Sequence, residues 1–335
     1  MKARVAQVVA PRRMEVVEDE LRPPGEGELL IEVRASGICH SDRAAFDGTA
    51  PPLADPEGVD PSGRRLPFPY PLGHEPAGVV VDVGPGVRRF RAGDRVAGAG
   101  WATTNQSFAT HAILQEGFTV PVPAGIRWEH ALGEPLGAAV NIVRAARPAV
   151  GDRVAVVGCG FMGLLVLSLL VESPLDEVLA VDIRDDRLRI AAELGASTVA
   201  ASDPADLAVP FARNGRPGFD VVVDVSGRVA GLETALRLAK KSRSRIVASS
   251  TYLDAEPFGA GEELMMKAPE ILAVHPDFSS DFRLDMEIAM GQLERGRFPM
   301  DVLVTHRFGL DEVTFAHETA FDGSNNGYVK GVVLP

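Results

Sequence analysis

The sequence predicts an α/β protein with two domains, one rich in β-strands and one with a doubly wound parallel sheet. The chain has 335 residues, and domains average roughly 150 residues, so a single core is not expected. Up to about residue 130, short apolar runs bounded by Gly and Pro are typical of antiparallel strands. From Asp152 onward, apolar strands alternate with helical segments, which indicates β-α-β units.

The composition is that of an ordinary globular protein and excludes several classes of partner. Hydrophobic residues make up 46% of the chain and charged residues 24%, which argues against disorder. A formal net charge of −12, with no cluster of Lys and Arg, would repel nucleic-acid phosphates. The two cysteines, Cys39 and Cys159, cannot make a disulfide framework, and the charged N-terminus does not resemble a secretion signal. We therefore expect a cytoplasmic protein with no nucleic-acid or membrane partner.

The β-rich part contains one clear strand followed by a long irregular stretch. From Glu28, the segment ELLIEVRASGIC alternates apolar and polar residues, which predicts a half-buried strand with Cys39 just beyond its end. Residues 49–71 carry seven prolines and no periodicity, so we expect an irregular loop. The runs PAGVVVDVG and GDRVAGAG then predict further short strands.

The second part supplies the parallel sheet, and the end of the chain returns to the first domain. Strands are predicted at RVAVVG, EVLAVD, FDVVVDVSG, SRIVASS and EILAV, with helices such as RDDRLRIAAELGA and RVAGLETALRLAKK between them. After the helical segment DFRLDMEIAMGQLERG, the runs LVTHRFGL and YVKGVVLP are again β-like. We place one domain at residues 1–133 and 276–335, and the other at 134–275.

The longest apolar run, Val154 to Val171, reaches the roughly 18-residue length of a membrane span but contains a phosphate-binding motif instead. Its GCGFMG segment is G-x-G-x-x-G at Gly158, Gly160 and Gly163, with Phe161 and Met162 between the last two. A strand precedes it and a helix follows. Glycines there allow a tight turn, let the backbone approach a pyrophosphate and bring the helix close to the strand. We predict a Rossmann-type dinucleotide-binding domain.

An acid at the end of the next strand favours NAD over NADP. Asp182 ends EVLAVD, about 20 residues beyond the glycines, where a carboxylate hydrogen-bonds the adenosine 2′-OH and repels a 2′-phosphate. Arg184 and Arg187 soften this preference, and we count Arg187 among the cofactor-binding residues. Asp182 could instead, or in addition, cap the following helix.

A second group of residues has the chemistry of a metal site. Cys39 lies in GICHSD, and His74 and Glu75 lie side by side in GHEPAGVVV. Thiolate, imidazole and carboxylate are all zinc ligands. Taken singly, a buried cysteine is usually a small apolar residue and a histidine in a turn is usually structural.

In this order, GICHSD, GHEPAGVVVDVG, GDRVAG and VGCGFMG resemble the zinc-dependent medium-chain dehydrogenase/reductase family, which includes alcohol and sorbitol dehydrogenases. The resemblance runs from the ELLIEV strand to the KGVVLP end. It implies a GroES-like catalytic domain beside the Rossmann domain. It also implies hydride transfer between NAD(H) and a secondary alcohol or ketone, such as a polyol, a sugar, a cyclitol or a biosynthetic intermediate.

The resemblance assigns metal ligands, and this sequence departs from the family in two places. Cys39 and His74 match the family's catalytic zinc ligands, whereas Glu75 and Glu134 compete for a third position, because no cysteine stands in GEPLGAAV. The alternative for Glu134 is an ordinary residue at a helix start. The four closely spaced cysteines of many relatives are absent after GDRV, so we expect one catalytic zinc per chain and no structural zinc.

Further roles follow from the same resemblance. Asp42 matches a carboxylate that orients a ligating histidine, with turn capping as the alternative. Ser41 matches the hydroxyl that first accepts the substrate proton, and His40 would complete the relay or contact the cofactor pyrophosphate, unless it is simply solvated. The substrate pocket is expected to include Phe46, Trp101 and the 49–71 loop.

Two other functions fit the same fold. The first is an NAD(P)H-dependent reductase of activated C=C bonds, which the zinc-ligand set argues against. The second is an NAD-binding regulatory protein without turnover. Relatives form dimers and tetramers, so we expect a homo-oligomer that acts on a small molecule.

Overall fold

The structure is a computed structural model that describes residues 1–49, 68–100, 106–200, 217–250, 252, 257–323 and 327–335. Its strands, in chain order, are β1 Lys2–Ala10, β2 Arg13–Glu20, β3 Glu28–Gly37, β4 Tyr70–Pro71, β5 Glu75–Val83, β6 Arg95–Gly98, β7 His111–Gln115, β8 Thr119–Pro121, β9 Arg153–Val157, β10 Glu177–Asp182, β11 Ser197–Ala200, β12 Val221–Asp224, β13 Arg245–Ala248, β14 Glu270–Ala273, β15 Val304–Gly309 and β16 Lys330–Leu334. Its α-helices are α1 Asp42–Phe46, α2 Gly133–Ala146, α3 Phe161–Leu170, α4 Asp185–Glu193, α5 Val229–Leu238, α6 Gly261–Lys267, α7 Phe282–Glu294, α8 Met300–Leu303 and α9 Val313–Phe321.

The chain forms two compact units, and the predicted α/β class is confirmed. The first unit comprises Met1–Gly137, Met286–Arg295 and Met300–Pro335, and the second comprises Ala138–Asp285 and Gly296–Pro299. The functional assignment of residues 134–275 to cofactor binding stays a prediction.

The β-rich unit contains a three-stranded sheet in the order β2-β1-β4 and a seven-stranded sheet in the order β15-β16-β3-β5-β6-β8, with β7 also paired to β3. The end of the chain completes this sheet, as its β-like sequence predicts. Strand β16 pairs antiparallel with β3, so residues more than 290 positions apart become neighbours. Apolar side chains from β3, β5, β6 and β7 form one of the unit's cores.

Our prediction that β3 is half-buried was wrong for its first residues. Glu28 is 7% exposed and Leu30 is 5% exposed, although the alternation placed both on the solvent side. Strand β3 pairs with β5, β7 and β16, so it lies inside the sheet. Glu28 is buried as an ion pair: its Oε1 accepts a hydrogen bond from Arg22 Nη2 at 2.8 Å. That hydrogen bond outweighs the effect of burial and lowers the pKa of Glu28.

The second unit contains a six-stranded parallel sheet in the order β11-β10-β9-β12-β13-β14. The chain runs outward from β9 to one edge and then from β12 to the other, which is the doubly wound order. The strands are short and almost wholly apolar because both faces of a parallel sheet are covered. In β9, for example, Val154, Ala155 and Val156 are 0% exposed.

The apolar run from Val154 to Val171 is divided between β9, the glycine turn and α3. Helix α3 ends at Leu170, and most of its side chains are buried. Among the described residues, no helix has the length and apolar character that a membrane crossing requires.

Candidate functional site

Strand pairing brings the two metal-site motifs together. Strands β3 and β5 are antiparallel, and Gly37 at the end of β3 lies opposite Glu75 at the start of β5. Cys39 follows in the turn after β3, and His74 immediately precedes β5. The pairing of these two strands therefore brings together Cys39 and His74, which are far apart in the sequence.

The three predicted donors converge. One donor atom from each of Cys39, His74 and Glu75 can be chosen so that all lie within 4.8 Å of one another. His74 and Glu75 are buried, and Cys39 is half-buried. A thiolate, an imidazole and a carboxylate at this spacing form a donor set suited to zinc. Glu75 Oε2 is buried and lies 2.6 Å from Lys330 Nζ, so an ion pair holds the carboxylate, whose oxygens each keep a lone pair for a further partner.

Asp42 connects two of these donors. Its Oδ1 lies 3.4 Å from His74 Nδ1, and its Oδ2 accepts a hydrogen bond of 3.2 Å from the backbone N–H of Cys39. Burial alone would lower the pKa of His74, but the charges of Asp42 and Cys39 outweigh burial and hold that pKa well above its usual value. Because Asp42 occupies Nδ1, the His74 ring presents Nε2 on its other side, as a ligating histidine does.

The two predicted proton-relay residues follow Cys39 directly. Ser41 stands at the N-terminal end of α1 and is half-buried, and its side chain makes no capping hydrogen bond. His40 is exposed and lies edge-on to Phe321, with ring centroids 6.0 Å apart. The roles of both residues in a proton relay stay predictions.

Glu134 does not join the group of mutually close donors that the described residues form. It lies in the first turn of α2 and is 8% exposed. Phe46 is 0% exposed and packs in the core, with its ring 5.2 Å from that of His317. Trp101 and most of the 49–71 loop, which we predicted to line the pocket, lie outside the described residues.

Sequence reasoning missed one charged residue of this group, Lys330. It is 4% exposed in β16, and its Nζ donates hydrogen bonds to Glu75 Oε1 at 2.7 Å and to the carbonyl oxygen of Ile38 at 2.9 Å. The signal was a single lysine in the otherwise apolar strand KGVVL. A buried lysine is rare unless it is paired.

The glycine turn has the geometry that a dinucleotide site requires. Gly158 follows β9 with a φ of +92°, which favours glycine. A Cβ on Gly163 would lie 1.9 Å from the carbonyl oxygen of Gly158, so only glycine allows α3 to start this close to the strand. A Cβ on Gly160 would meet no atom within 4 Å, so the backbone beneath it faces open space. Phe161 and Met162, both half-buried, begin α3, where backbone N–H groups have no intrahelical partner.

Asp182 fixes this turn from the end of β10. Its Oδ2 accepts a hydrogen bond of 2.6 Å from the N–H of Cys159, and its Oδ1 accepts one of 2.9 Å from the N–H of Arg184. Arg184 stands at the cap position of α4, so Asp182 binds the helix start from two residues before it. Cys159 is fully buried, and burial raises the pKa of its thiol.

Arg187 lies close to the predicted ribose site. It is 7% exposed, and its Nε lies 3.7 Å from Asp186 Oδ2. Burial and the neighbouring Arg184 lower the pKa of Arg187. Arg184 in turn is held by Asp186, with Nη2 and Oδ2 2.8 Å apart. The arginines therefore stand beside carboxylates, which offset their attraction for an additional phosphate.

A second residue that sequence reasoning missed stabilises the loops at the same end of the parallel sheet. Asp224 ends β12 and is 0% exposed. It accepts hydrogen bonds from Tyr252 Oη at 2.6 Å and from the N–H of Ser226 at 3.0 Å. Gly158 approaches this loop so closely that a Cβ there would lie 2.7 Å from Ser226 Cα. The loops after β9, β12 and β13 thus support one another.

Comparison with known proteins agrees with this arrangement. Residues 25–145 match the family model of the alcohol dehydrogenase GroES-like domain. The chain is 28% identical to (R,R)-butanediol dehydrogenase of Bacillus subtilis over 323 residues, which cover 90% of each chain. It is 29% identical to 2-dehydro-3-deoxy-L-galactonate 5-dehydrogenase of Pseudoalteromonas atlantica over 315 residues, 86% of this chain and 88% of that protein.

The solved structures show the same fold over the whole chain. The crystal structure of 2R,3R-butanediol dehydrogenase from Bacillus subtilis superposes with a TM-score of 0.83 at 25% identity, covering 99% of both chains. The alcohol dehydrogenase from Thermus sp. ATN1 superposes with a TM-score of 0.79 at 22% identity, covering 99% of both chains, which is a likeness of fold.

Proposed function

Because the chain belongs to the medium-chain dehydrogenase/reductase family, we propose that it is a zinc-dependent dehydrogenase that transfers hydride between NAD(H) and a secondary alcohol or its ketone. The family relationship carries the coarser statement, an oxidoreductase acting on CH–OH groups. The convergence of Cys39, His74 and Glu75 is the observation that carries the proposal of zinc.

We propose Cys39, His74 and Glu75 as the residues that hold the metal, with Glu134 retained as a competing third ligand. The donor set of one thiol, one imidazole and one carboxylate, mutually within 4.8 Å, fits zinc. A bound zinc ion would supply a Lewis acid that lowers the pKa of a substrate hydroxyl or polarises a carbonyl group. Asp42 keeps His74 in one tautomer through Nδ1 and holds the Cys39 backbone in place.

Proton transfer is assigned to the residues beside Cys39. In the oxidation direction, Ser41 Oγ accepts the proton of the substrate hydroxyl while its own hydroxyl proton passes to the next acceptor, and the reduction direction reverses both transfers. His40, whose ring is exposed, is the proposed next acceptor and releases a proton to solvent. The half-buried Ser41 and the exposed His40 are consistent with this order of transfer.

The turn Gly158, Gly160, Phe161, Met162 and Gly163 is proposed to hold the pyrophosphate of the dinucleotide. Open space above Gly160 and the first N–H groups of α3 support this assignment.

Asp182 supports NAD over NADP, and Asp186 offsets the attraction of the neighbouring Arg184 and Arg187 for a 2′-phosphate. Hydrogen bonds from two backbone N–H groups hold the Asp182 carboxylate beside the turn.

The proposed substrate class is a small polyol or sugar-derived alcohol with a secondary hydroxyl group. The relatives that support this class carry the names butanediol dehydrogenase and 2-dehydro-3-deoxy-L-galactonate 5-dehydrogenase. Reduction of an activated C=C bond is the weaker candidate, because that reaction does not need the three metal donors. A reducing, cytoplasmic location stays part of the proposal, since the site requires Cys39 as a thiol and both cysteines are free.

We also propose a homo-oligomer. Strand β14 stands at the edge of the parallel sheet, with Ile271 43% exposed, and the adjacent α6 exposes Met265 and Met266. Exposed apolar side chains beside an unpaired strand edge are typical of a surface that is covered on association.

The proposal is tested with a panel of secondary alcohols and ketones, using NADH and NADPH, on wild type and on Cys39→Ala. We expect turnover with at least one polyol or its ketone and a preference for NADH, and we expect Cys39→Ala to lose both turnover and zinc. Full activity in Cys39→Ala would refute the site. Cofactor binding without turnover across the panel would favour a regulatory protein.

A further inference from the structure

Lys330 is a buried cation directed at the metal donors by the final strand. It is 4% exposed, and its side chain extends from β16. Residues Gly37 and Ser36 of β3 pair with Val332 and Val333, and the N–H of Ile38 donates to the carbonyl oxygen of Gly331 at 3.0 Å. This register places Lys330 alongside the turn that carries Cys39.

The ammonium group of Lys330 makes two hydrogen bonds at the proposed metal site, one to a donor residue and one to the residue before another donor. Lys330 Nζ donates to the carbonyl oxygen of Ile38, the residue before Cys39, at 2.9 Å. It also donates to Glu75 Oε1 at 2.7 Å. The lysine therefore connects the Cys39 turn to the start of β5 independently of the strand pairing between them.

Both oxygens of Glu75 contact the same ammonium group. Lys330 Nζ lies 2.7 Å from Oε1 and 2.6 Å from Oε2. Contact with the ammonium therefore fixes the carboxylate, and each oxygen keeps a lone pair for a further ligand.

Gly37 leaves the room that this ion pair occupies. A Cβ on Gly37 would lie 1.9 Å from Glu75 Oε2 and 3.0 Å from Lys330 Cε. The ion pair therefore packs directly on the backbone of β3, and neither side chain could keep its position if residue 37 had a side chain.

We propose that Lys330 is a positioning residue of the metal centre, which orients Glu75 through Oε1 and the Cys39 turn through the Ile38 carbonyl. The inference rests on the proposed zinc site. Groups that hydrogen-bond to metal ligands typically change metal affinity by about 10- to 100-fold when they are removed. Lys330 hydrogen-bonds directly to one proposed ligand, Glu75, and to the carbonyl oxygen of the residue before another, Cys39.

Whether removal of Lys330 weakens or strengthens zinc binding distinguishes a positioning role from the electrostatic effect of its charge. A positive charge beside a divalent cation repels it, so removal of the charge alone would strengthen metal binding. If positioning dominates, removal of Lys330 weakens binding, because the Glu75 carboxylate and the Cys39 turn lose their common anchor.

The test is a competition titration of zinc against a chelator, on wild type, Lys330→Met and Lys330→Arg. We expect Lys330→Met to bind zinc about 10- to 100-fold more weakly and Lys330→Arg, which keeps the charge and the donors, to recover part of the loss. The matched control is Lys240→Met, which removes another lysine–carboxylate pair, that with Asp220 in the second unit, and should leave zinc affinity unchanged.

Cobalt spectra provide a readout that general destabilisation does not move. Bound Co²⁺ reports the geometry of its ligands, so its visible absorption should differ between wild type and Lys330→Met, and between wild type and Lys330→Arg by less. If Lys330→Met does not fold, Lys330→Gln, which removes the charge and keeps an N–H donor, takes its place in both measurements, with the same expected loss.

Unchanged or tighter zinc binding in Lys330→Met would overturn the inference, as would a Lys330→Arg variant that recovers none of the lost affinity. These outcomes are distinct from failure of the proposed function. That failure would appear as wild-type protein that binds no zinc, before any variant is compared.

Discussion

Replacing Asp42 with asparagine should weaken zinc binding about tenfold. The side chain keeps its size, but the negative charge is lost. Asp42 Oδ1 lies 3.4 Å from His74 Nδ1, and Oδ2 accepts the Cys39 N–H at 3.2 Å. Asparagine can accept one of these hydrogen bonds through its single oxygen, and its NH₂ group cannot accept the other.

The magnitude follows from the contacts. A hydrogen bond to a charged group contributes about 1.5–3 kcal/mol, and both of these bonds are long, so we take the lower end. About 1.4 kcal/mol corresponds to a tenfold change in affinity. The loss falls at the lower end of the range seen for residues that hydrogen-bond to metal ligands.

The assay is a zinc titration against a chelator, with Asp47→Asn as the control. Asp47 directly follows α1 and pairs with Arg12 at 2.9 Å on the surface, so it carries the same charge close in sequence without contacting a donor. Equal zinc affinity in Asp42→Asn and wild type would refute the reasoning, as would an equal loss in Asp47→Asn.

Three further predictions concern pH, the glycine turn and cofactor choice. Zinc binds neutral imidazole, so its affinity should fall about tenfold per unit of pH below the raised pKa of His74, and a flat profile down to pH 6.5 would contradict this. Gly163→Ala, whose Cβ would lie 1.9 Å from the Gly158 oxygen, should lower the free energy of unfolding by about 1–3 kcal/mol and abolish NADH binding. Gly291→Ala meets no atom within 4 Å and serves as the control in thermal melts and NADH titrations. Asp182→Asn should shift the ratio of NADH to NADPH affinity about tenfold toward NADPH in fluorescence titrations, and an unchanged ratio would remove Asp182 from cofactor selection.

The motifs with strong local chemistry could be predicted from the sequence. The glycine turn combines a strand, a helix start and three glycines within a few residues, so periodicity and spacing identify it. Cys39 is far in the chain from the adjacent His74 and Glu75. The resemblance to a family linked them, and the Gly37–Glu75 register shows how the fold brings them together.

Features that depend on tertiary neighbours escaped prediction. Glu28 alternates like an exposed residue, yet the strands on either side of β3 and the Arg22 ion pair bury it. Lys330 joins the metal group only because β16 returns beside β3 from the far end of the chain. Asp224, at the end of β12, accepts a hydrogen bond from Tyr252, which lies in the loop after β13, and no local sequence pattern predicts this contact. Local pattern carries no information about such contacts.

The most direct test of the account is the zinc content of purified wild type, Cys39→Ala and Cys159→Ala. Cys159 is the chain's other cysteine, is fully buried, and lies outside the donor group. We predict one zinc per chain in wild type and in Cys159→Ala, and almost none in Cys39→Ala. Full zinc content in Cys39→Ala would contradict the proposed metal centre.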